Sequence, residues 1–406
     1  MTGPLDGIRI FDLTRILAGP TAMQALGDLG ADIIKIERPG AGDDTRKWGP
    51  PFLKDADGND TTEAAYYLAA NRNKRSVSLD VARPEGQALA RRMIAGCDVL
   101  VENFKTGGLA KYGLGYDDLK DAFPALVYCS ITGFGQTGPY AKRAGYDVLA
   151  QGMGGIMSIT GDPAGEPMKV GVGIADIMCG MHAAVAILAA LRHRDRTGRG
   201  QHIDAALLDT QVSWLANEAM NYLISGVVPV RRGNAHPNIV PYQAFETSDG
   251  HVLMAVGNDR QFRDLCALAG APELADDPRF RTNSQRIVNR DELIPQLQDL
   301  TRQKPSAFWL DGLAPLNVPA GPVNDIGEVF ADPQVESRGV EIKMDHPLGD
   351  PDAPMSMVGY PVKLSETPAD YRHPPPYLGQ HTDEVLRELL DLPDDEIAAL
   401  RRDGVI

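Results

Sequence analysis

Cysteine is scarce in this sequence, and the few thiols present lie far apart. Four cysteines, Cys97, Cys129, Cys179 and Cys266, are spread over 406 residues without a CxxC pair or a dense group of histidines. Because structural zinc sites need several such ligands at short spacing, a zinc centre has little support. We expect reduced thiols in the core, where cysteine is often buried, and no bound metal.

Positive charge is also in short supply. The sequence has 40 Lys and Arg against 55 Asp and Glu, which gives a formal net charge of -15 at pH 7. Proteins that bind nucleic acid or anionic membrane surfaces normally do so with clustered basic residues. We therefore exclude nucleic acid and membranes as expected partners.

Long apolar runs are missing as well. The longest nearly apolar run, residues 177–191, is interrupted by His182 and falls short of the ~20 residues that a membrane span needs. The first residues, MTGPLDGIRIFDL, show no basic run followed by an apolar stretch, so they do not resemble a secretory signal. We expect a cytoplasmic protein.

What the sequence does contain is a regular alternation of strand-like and helix-like segments. GIRIFDL and DIIKIE predict two strands joined by a helix at TAMQALGDLGA, and four more strands are predicted at KRSVSLDV, DVLVENF, ALVYCSIT and QHIDAALLD. Strands that alternate with helices favour βαβ units and a parallel sheet. The predicted fold class is therefore α/β, with a Rossmann-like, doubly wound large domain and a smaller α/β domain.

Changes in composition divide the chain into segments. We predict a large domain over residues 1–213, a linker over 214–240, a small domain over 241–322, a second linker over 323–344, and a C-terminal segment, 345–406, that returns to the large domain. In the small domain, FETSDGHVLMAV predicts a hairpin and the segments that follow predict helices.

The turn after the first strand, ILAGPTAMQ, lies where dinucleotide-binding folds bind phosphate, but it lacks the Gly-x-Gly-x-x-Gly spacing. NAD is therefore disfavoured, whereas a phosphate-bearing ligand at the carboxyl ends of the strands remains reasonable. Basic and polar residues lie just after predicted strand ends or in loops: Arg38, Asn71, Arg72, Asn73, Lys74, Arg75, Asn103, Phe104, Lys105 and Lys111. Either they bind a large anionic cofactor, or they are ordinary polar loop residues.

Asp176 lies at the predicted start of a long apolar helix in GVGIADIMCGMHAAVAILAAL. An Asp at a helix N-cap accepts hydrogen bonds from free backbone amides and contributes ~1 kcal/mol, so it needs no catalytic role. A carboxylate there, with Gly171 and Gly173 just before it, is equally able to face a substrate beside amide dipoles that stabilise negative charge. The motif alone leaves both interpretations open.

The sequence as a whole resembles the class III CoA-transferases, the group of formyl-CoA and carnitine CoA-transferases that also contains α-methylacyl-CoA racemases. The resemblance runs nearly from end to end and rests on PLDGIRIFDLTRILAGP, LGADIIKIERPGAGDDTR, NRNKRSVSLD, DVLVENF, SITGFGQTGPY, GVGIAD, GRGQHIDAALLD and LGQHTDEVL. It implies that Asp176 is a nucleophile, which attacks a donor thioester to give a mixed anhydride and then carries CoA as an aspartyl thioester.

The resemblance also implies where coenzyme A binds, and no metal is needed. Its expected contacts are Arg38, Arg72, Asn73, Lys74, Arg75, Asn103, Phe104, Lys105 and Lys111. Backbone amides of the loop TGFGQTG are candidates for contacting the pantetheine arm or an oxyanion, namely those of Gly133, Phe134, Gly135 and Gln136. Members of the family form an interlocked homodimer, in which the two long linkers would close a ring around the partner chain.

Some positions depart from the patterns of particular relatives. The racemases use a histidine in a Gly-His-Asp segment, where this chain has Gly145, Tyr146 and Asp147. A tyrosine, with an unperturbed pKa near ~10, is a poor base at neutral pH, so CoA transfer is favoured over racemisation. Leu17 and the segment VGNDRQF replace a Gln and a glycine-rich loop of the formyl-CoA transferases, which disfavours formate and oxalate.

The segment RRGNAHPNIVPYQ resembles members that use succinyl-CoA with glutarate-type or other C4 to C6 diacids. The substrate-binding candidates are Arg15, Tyr146, Arg231, Arg232, His236, Asn238 and Tyr242. We predict an enzyme that moves CoA from succinyl-CoA to a dicarboxylic acid. The alternatives are an α-methylacyl-CoA racemase or epimerase and a non-catalytic CoA-binding protein.

Overall fold

The structure, a computed structural model, describes residues 3–406 and divides them into two compact units. The first unit contains the described residues up to 156 together with 169–224 and 336–406, and the second contains 157–168 and 225–335. The sequence assigns 157–168 to the large domain and 225–240 and 323–335 to linkers, but all three segments belong to the second unit. Local sequence patterns predict a helix such as Ile326–Phe330, but not the unit to which it belongs.

A six-stranded sheet forms the centre of the first unit. Its strands are β1 (Arg9–Asp12), β2 (Asp32–Glu37), β5 (Lys74–Ser78), β6 (Val99–Glu102), β7 (Val127–Thr132) and β8 (His202–Ala206). All neighbours pair in parallel, in the order β5-β2-β1-β6-β7-β8. The predicted α/β class with a parallel sheet is confirmed. A separate antiparallel pair, β3 (Phe52–Lys54) and β4 (Asp60–Ala64), follows β2.

Helices cover both faces of this sheet because its strands are apolar on both sides. The helices of the first unit are α1 (Ala18–Asp28), α2 (Ala65–Leu68), α3 (Pro84–Ile94), α4 (Tyr116–Leu119), α5 (Asp147–Met153), α7 (Ile174–Thr197), α8 (Leu207–Ser213), α17 (Thr382–Leu390) and α18 (Asp394–Arg402), while α6 (Ile156–Ile159) and α9 (Ala216–Ser225) reach into the second unit. Helices α1 and α7 form one core layer with Ile10 and Val127. Helices α3, α17 and α18 form the other with Phe11 and Leu100.

Helix α7 is the longest helix, with 24 residues, and it packs closely on α1. A Cβ atom on Gly180 would lie 2.3 Å from the carbonyl oxygen of Ala18, so only glycine allows this approach. Among the described residues, α7 alone is long and apolar enough to cross a membrane, a property that core helices share. Its inward face, including Cys179, Ala183 and Ile187, is buried in the sheet's core layer.

The second unit has its own apolar core. Its antiparallel strands are β9 (Tyr242–Glu246), β10 (His251–Ala255) and β11 (Ala320–Pro322), and its helices are α10 (Asp259–Leu268), α11 (Glu273–Asp276), α12 (Asn283–Val288), α13 (Arg290–Thr301), α14 (Ser306–Leu313) and α15 (Ile326–Phe330). Strands β9 and β10 form the predicted hairpin. Phe245, Phe262, Leu297 and Trp309 are among the buried side chains that hold the unit together.

The C-terminal part of the chain lies in the first unit. Helix α16 (Pro333–Ser337), whose first residues belong to the second unit, precedes an antiparallel pair, β12 (Glu341–Met344) and β13 (Met355–Val358). Further on, the N–H of His381 donates to the carbonyl oxygen of Ser76 in β5 at 2.9 Å. The apolar face of α17, which includes Val385 and Leu386, then packs in the same core layer as α3. The segment thus adds a backbone contact and apolar burial at the edge of the sheet.

Candidate active site

A cavity of about 470 Å³ opens at the carboxyl ends of β1, β6 and β7 in the first unit. Between β1 and β6 the strand order reverses direction, which is where open α/β sheets bind ligands. Eight of the predicted catalytic, CoA-binding and substrate-binding residues line this cavity: Arg15, Asn103, Phe104, Lys105, Lys111, Gly133, Tyr146 and Asp176. The fold therefore brings the predicted nucleophile and part of the predicted CoA site together.

Asp176 lies inside α7 rather than at its cap. The helix begins at Ile174 with Gly173 as the N-cap residue, so Asp176 is the third residue of the first turn. Of the two interpretations that the sequence left open, the structure therefore excludes the N-cap role for Asp176. The cap comes from another element, because Oδ1 of Asp147 accepts the N–H of Ala175 at 2.8 Å and that of Asp176 at 3.3 Å. The carboxylate of Asp176 is left to line the cavity.

The surroundings of Asp176 make its charged form unfavourable. Burial, together with the negative charge of Asp147, raises the pKa of Asp176 to about 7. A carboxylate that is this poorly solvated loses less hydration when it attacks a carbonyl carbon. Asp176 is thus set apart electrostatically from an ordinary surface aspartate, which supports a chemical role.

A hydrogen-bond network fixes Asp147 at the start of α5. Oδ2 of Asp147 accepts the side-chain N–H of Gln151 at 2.6 Å, and Oε1 of Gln151 accepts the N–H of Val170 at 2.8 Å. Gln151 is fully buried. In this segment the sequence predicts a role only for Tyr146 and none for Asp147. The available signal was an acidic residue at the start of a short helix, which does not reveal a partner 29 residues away.

Two glycines bring the segment that carries Tyr146 and Asp147 against the end of β7. A Cβ atom on Gly133 would lie 2.4 Å from the Cα atom of Gly145, and one on Gly145 would lie 2.3 Å from the Cα atom of Gly133. Neither position tolerates a side chain without a shift of backbone. The contact places Tyr146 at the wall of the cavity, where its side chain remains exposed.

The turn after β1 is joined to the turn after β6. The N–H of Arg15 donates to Oδ1 of Asn103 at 3.0 Å, and Nδ2 of Asn103 donates to the carbonyl oxygen of Arg15 at 2.7 Å. The Arg15 guanidinium forms an exposed ion pair with Asp44 at 3.0 Å. Asn103 therefore has a positioning contact in addition to its place in the cavity wall.

Basic side chains collect around the cavity although the chain as a whole is acidic. Arg15, Lys105, Lys111 and Arg143 all line it. The Lys111 ammonium lies 4.5 Å from the ring centroid of Tyr112. Such a concentration of positive charge in a protein of net charge -15 attracts an anionic ligand. Arg143 was not among the predicted residues.

The structure argues against a direct CoA contact for the side chains of Arg72, Asn73, Lys74 and Arg75. All four are buried. Arg72 binds both carboxylate oxygens of Asp28, at 2.9 and 2.6 Å, and the amide of Asn73 donates to Asp28 at 2.8 Å. These groups hold α1 against the sheet, so we revise their predicted role to a structural one.

The remaining two basic residues of this run have the same character. Nζ of Lys74 donates to the side chain of Asn71 at 2.9 Å and to the carbonyl oxygen of Pro20 at 3.0 Å, and burial lowers the pKa of Lys74 to about 7. Arg75 forms ion pairs with Asp32 at 2.6 Å and with Glu388 at 2.5 Å. Arg38, by contrast, is exposed directly after β2 and remains a candidate for a phosphate contact.

The glycine-rich loop after β7 only partly enters the cavity. Gly133 lines it, whereas Phe134, Gly135 and Gln136 do not. The N–H of Gly135 donates to Oγ1 of Thr132 and the N–H of Gln136 to Oδ2 of Asp204, both at 2.9 Å. These two amides are thus engaged within the protein, which does not support the prediction that they contact the pantetheine arm or an oxyanion.

The other predicted substrate contacts belong to the second unit. The Arg231 guanidinium donates to the carbonyl oxygens of Asp162 and Gly165 at 3.1 and 2.8 Å. The rings of His236 and Tyr242 lie 5.2 Å apart. Together with Arg232 and Asn238, these residues remain predictions. Within residues 3–406, no group of three or more His, Cys, Asp or Glu side chains is arranged to hold a metal ion.

Comparison with known proteins identifies the family. The model of CoA-transferase family III matches residues 5–382. The chain is 53% identical to a succinate–glutarate CoA-transferase of Agrobacterium fabrum, covering 95% of this chain and 96% of that one. It is 45% identical to the human succinyl-CoA:glutarate CoA-transferase, covering 99% of this chain and 90% of the human one.

A solved structure agrees with these sequence comparisons. The crystal structure of a CAIB/BAIF family protein from Brucella suis is 51% identical, covers 96% of this chain and 100% of its own, and superposes with a TM-score of 0.84. The similarity therefore extends over both the fold and the sequence. The chain belongs to CoA-transferase family III.

Proposed function

We propose that this enzyme transfers CoA from succinyl-CoA to glutarate, with Asp176 as the nucleophile. The observation that carries the proposal is the position of Asp176, a poorly solvated carboxylate in the first turn of α7 that faces a cavity with a basic rim. The relatives from Agrobacterium fabrum and from human are both named for succinate or succinyl-CoA and glutarate.

In the first half-reaction, CoA moves from the succinyl group to Asp176, and succinate is released. An oxygen of Asp176 attacks the thioester carbonyl of succinyl-CoA, the C–S bond breaks, and CoA leaves as a thiolate while a succinyl–aspartyl anhydride remains. The thiolate then attacks the aspartyl carbonyl of this anhydride. Succinate leaves with the electron pair of the broken C–O bond, and Asp176 now carries CoA as a thioester.

The second half-reaction repeats these steps in reverse with the acceptor. A carboxylate of glutarate attacks the aspartyl thioester and expels the CoA thiolate, which gives a glutaryl–aspartyl anhydride. The thiolate attacks the glutaryl carbonyl, so that glutaryl-CoA forms and the Asp176 carboxylate is restored. No proton is gained or lost over the cycle, which means that the protein needs no general base for it.

The residues around the cavity have separate tasks in this proposal. Asp147 and Gln151 hold the start of α7, and the exposed cations Lys105, Lys111 and Arg143 bind the phosphates of CoA. Arg15, which pairs with Asp44 at the cavity, binds the free carboxylate of the diacid. A base with access to both faces of a substrate α-carbon is not required, in contrast to racemisation.

We extend the proposal to a homodimer of the interlocked type. The end of α9 carries apolar side chains that are largely exposed in the single chain, with Leu223 at 71% and Ile224 at 79%. Apolar groups at this density on one helix usually mark a contact surface. Light scattering on the purified protein measures the assembly, and a monomer would contradict this part of the proposal.

An exchange assay tests the reaction class and the substrates. Purified enzyme is given succinyl-CoA with a panel of mono- and dicarboxylic acids, and the new thioesters are identified by chromatography. We expect glutaryl-CoA as the main product. In a parallel sample without acceptor acid, wash-in of solvent deuterium at the α-carbon of a branched acyl-CoA would instead support a racemase. If the protein binds CoA but catalyses neither reaction, the alternative of a non-catalytic CoA-binding protein would be supported.

A further inference from the structure

Ile16 has an unusual backbone conformation at the edge of the cavity. Its φ is 72°, in the left-handed region that a β-branched side chain rarely adopts. It lies between Arg15 and Leu17, and all three residues line the cavity. A conformation of this kind persists only where the surrounding structure holds it in place, and such residues concentrate at functional sites.

In addition to the contacts from Asn103, a buried ion pair holds this turn. The N–H of Ile16 donates to Oδ1 of Asp43 at 3.2 Å. Nζ of Lys35 donates to Oδ2 of the same carboxylate at 2.9 Å and to the carbonyl oxygen of Thr14, also at 2.9 Å. The side chains of Lys35 and Asp43 are both completely buried. The pair therefore forms hydrogen bonds to the backbone on both sides of Arg15, at Thr14 and at Ile16.

Asp43 remains ionised under all conditions in which the enzyme would be assayed. Burial alone would raise the pKa of Asp43, but the charge of Lys35 and hydrogen bonds from Thr45 outweigh it and bring the pKa to about 2. The Asp43 carboxylate also accepts the N–H and the hydroxyl of Thr45, at 3.1 and 2.8 Å. The acceptor of the Ile16 N–H is thus itself rigidly placed.

The turn is in contact with the helix that carries Asp176. A Cβ atom on Gly173, the N-cap residue of α7, would lie 3.0 Å from a methyl carbon of Leu17. Further along α7, beyond Asp176, Gly180 packs against the carbonyl of Ala18 in the first turn of α1. The start of α1 therefore touches α7 on both sides of Asp176 along the chain, so a shift of the turn would move the nucleophile.

We propose that Asp43, held by Lys35, is a positioning residue that keeps the turn of residues 15–17 against the start of α7 and so fixes Asp176 for attack. The inference rests on the proposed reaction at Asp176. Asp43 does not touch the reacting atoms in this account. It acts through the backbone of Ile16, which it holds in a conformation that this residue would otherwise leave.

A double-mutant cycle tests the role, because glycine adopts positive φ without strain. Asp43→Asn is measured in the natural chain and in the Ile16→Gly background. We expect Asp43→Asn to lower kcat by ~30-fold in the natural chain, the scale on which a misplacement of about 1 Å acts, and by no more than ~3-fold in the Ile16→Gly background. The KM for succinyl-CoA should change less than kcat. An equal fold-loss in the two backgrounds would overturn the positioning role.

A matched control separates positioning from general loss of stability. Glu63 forms a nearly as deeply buried ion pair with Arg46 at 2.6 Å but makes no hydrogen bond to the turn. Glu63→Gln should lower the melting temperature and leave kcat of the folded protein unchanged. If Asp43→Asn does not fold, Lys35→Gln replaces it in the same cycle. Turnover by Asp176→Asn would refute the proposed reaction, whereas the outcome of the cycle bears only on Asp43.

Discussion

Asp147, at the start of α5, accepts a hydrogen bond from the backbone N–H of Asp176 in the first turn of α7 at 3.3 Å. The arrangement has two opposite effects. Asp147 stabilises the start of the helix by accepting amide protons, and its charge disfavours ionisation of Asp176. Catalysis by Asp176 should therefore depend on Asp147 in ways that can be measured.

The activity should depend on pH near neutrality. Since the pKa of Asp176 is raised to about 7, the carboxyl group is largely protonated below that pH and cannot act as a nucleophile. We expect kcat/KM for succinyl-CoA to fall with decreasing pH below about 7, approaching tenfold for each pH unit. An acidic limb centred near pH ~4, the range of an ordinary aspartate, would contradict the raised pKa.

Removing the charge of Asp147 should move the acidic limb of the pH profile of kcat/KM. In Asp147→Asn the repulsion that raises the pKa of Asp176 is gone, so the limb should shift to lower pH, by about 0.5 to 1 unit. The loss of the anionic cap should also lower stability by ~1 kcal/mol. Asp121→Asn, which removes an exposed charge outside the cavity, is the control. A limb that stays in place would mean that Asp147 does not influence ionisation of the nucleophile.

Stability should reveal the same raised pKa without any substrate. The folded protein binds the Asp176 proton more tightly than the unfolded chain does, so this group stabilises the fold at low pH and loses that contribution as the pH rises from about 3.8 to about 7. The free energy of unfolding of Asp176→Asn, relative to that of the natural chain, should therefore increase by about 1–2 kcal/mol from pH 5 to pH 7. Urea unfolding at both pH values measures this, and a difference independent of pH would be inconsistent with it.

The sequence predicts much of this site because parallel strands end at one edge of the sheet. Asn103, Lys105 and Asp176 each lie after or beside a strand-like or helix-like run, and the fold brings them to one cavity. The capping of α7 could not be predicted in the same way. Its acceptor, Asp147, is held by Gln151 and follows the backbone contact between Gly133 and Gly145, and local propensity contains no information on such a contact.

For the run from Arg72 to Arg75, the sequence predicts ligand contacts where the structure has ion pairs within the protein. Four consecutive polar residues suggest a solvated ligand site, but the acidic partners lie on other elements, with Asp28 at the end of α1 and Asp32 at the start of β2. Burial of these ion pairs follows from tertiary packing. The prediction relied on composition and on the family resemblance, neither of which distinguishes a buried arginine from an exposed one.

Two substitutions distinguish a ligand contact from a structural contact. Lys111→Ala should raise the KM for succinyl-CoA by ~10-fold with little change in kcat, and the effect should weaken with added salt because the lost interaction is with an anion. Arg72→Gln should instead leave the KM of the folded fraction unchanged. It should destabilise the fold by about 3–5 kcal/mol, because Asp28 loses its buried partner. Lys120→Ala, outside the cavity, is the control for Lys111. A raised KM in Arg72→Gln without loss of stability would restore the original assignment.

The central claim is that Asp176 becomes covalently linked to CoA during turnover. The enzyme is incubated with succinyl-CoA, quenched in hydroxylamine and digested, and the peptide that contains Asp176 is examined by mass spectrometry. We expect a hydroxamate on Asp176 in the natural chain and none in Asp176→Asn, with Asp147→Asn still forming the adduct. Turnover to glutaryl-CoA with Asp176 unmodified at every time point would contradict the account.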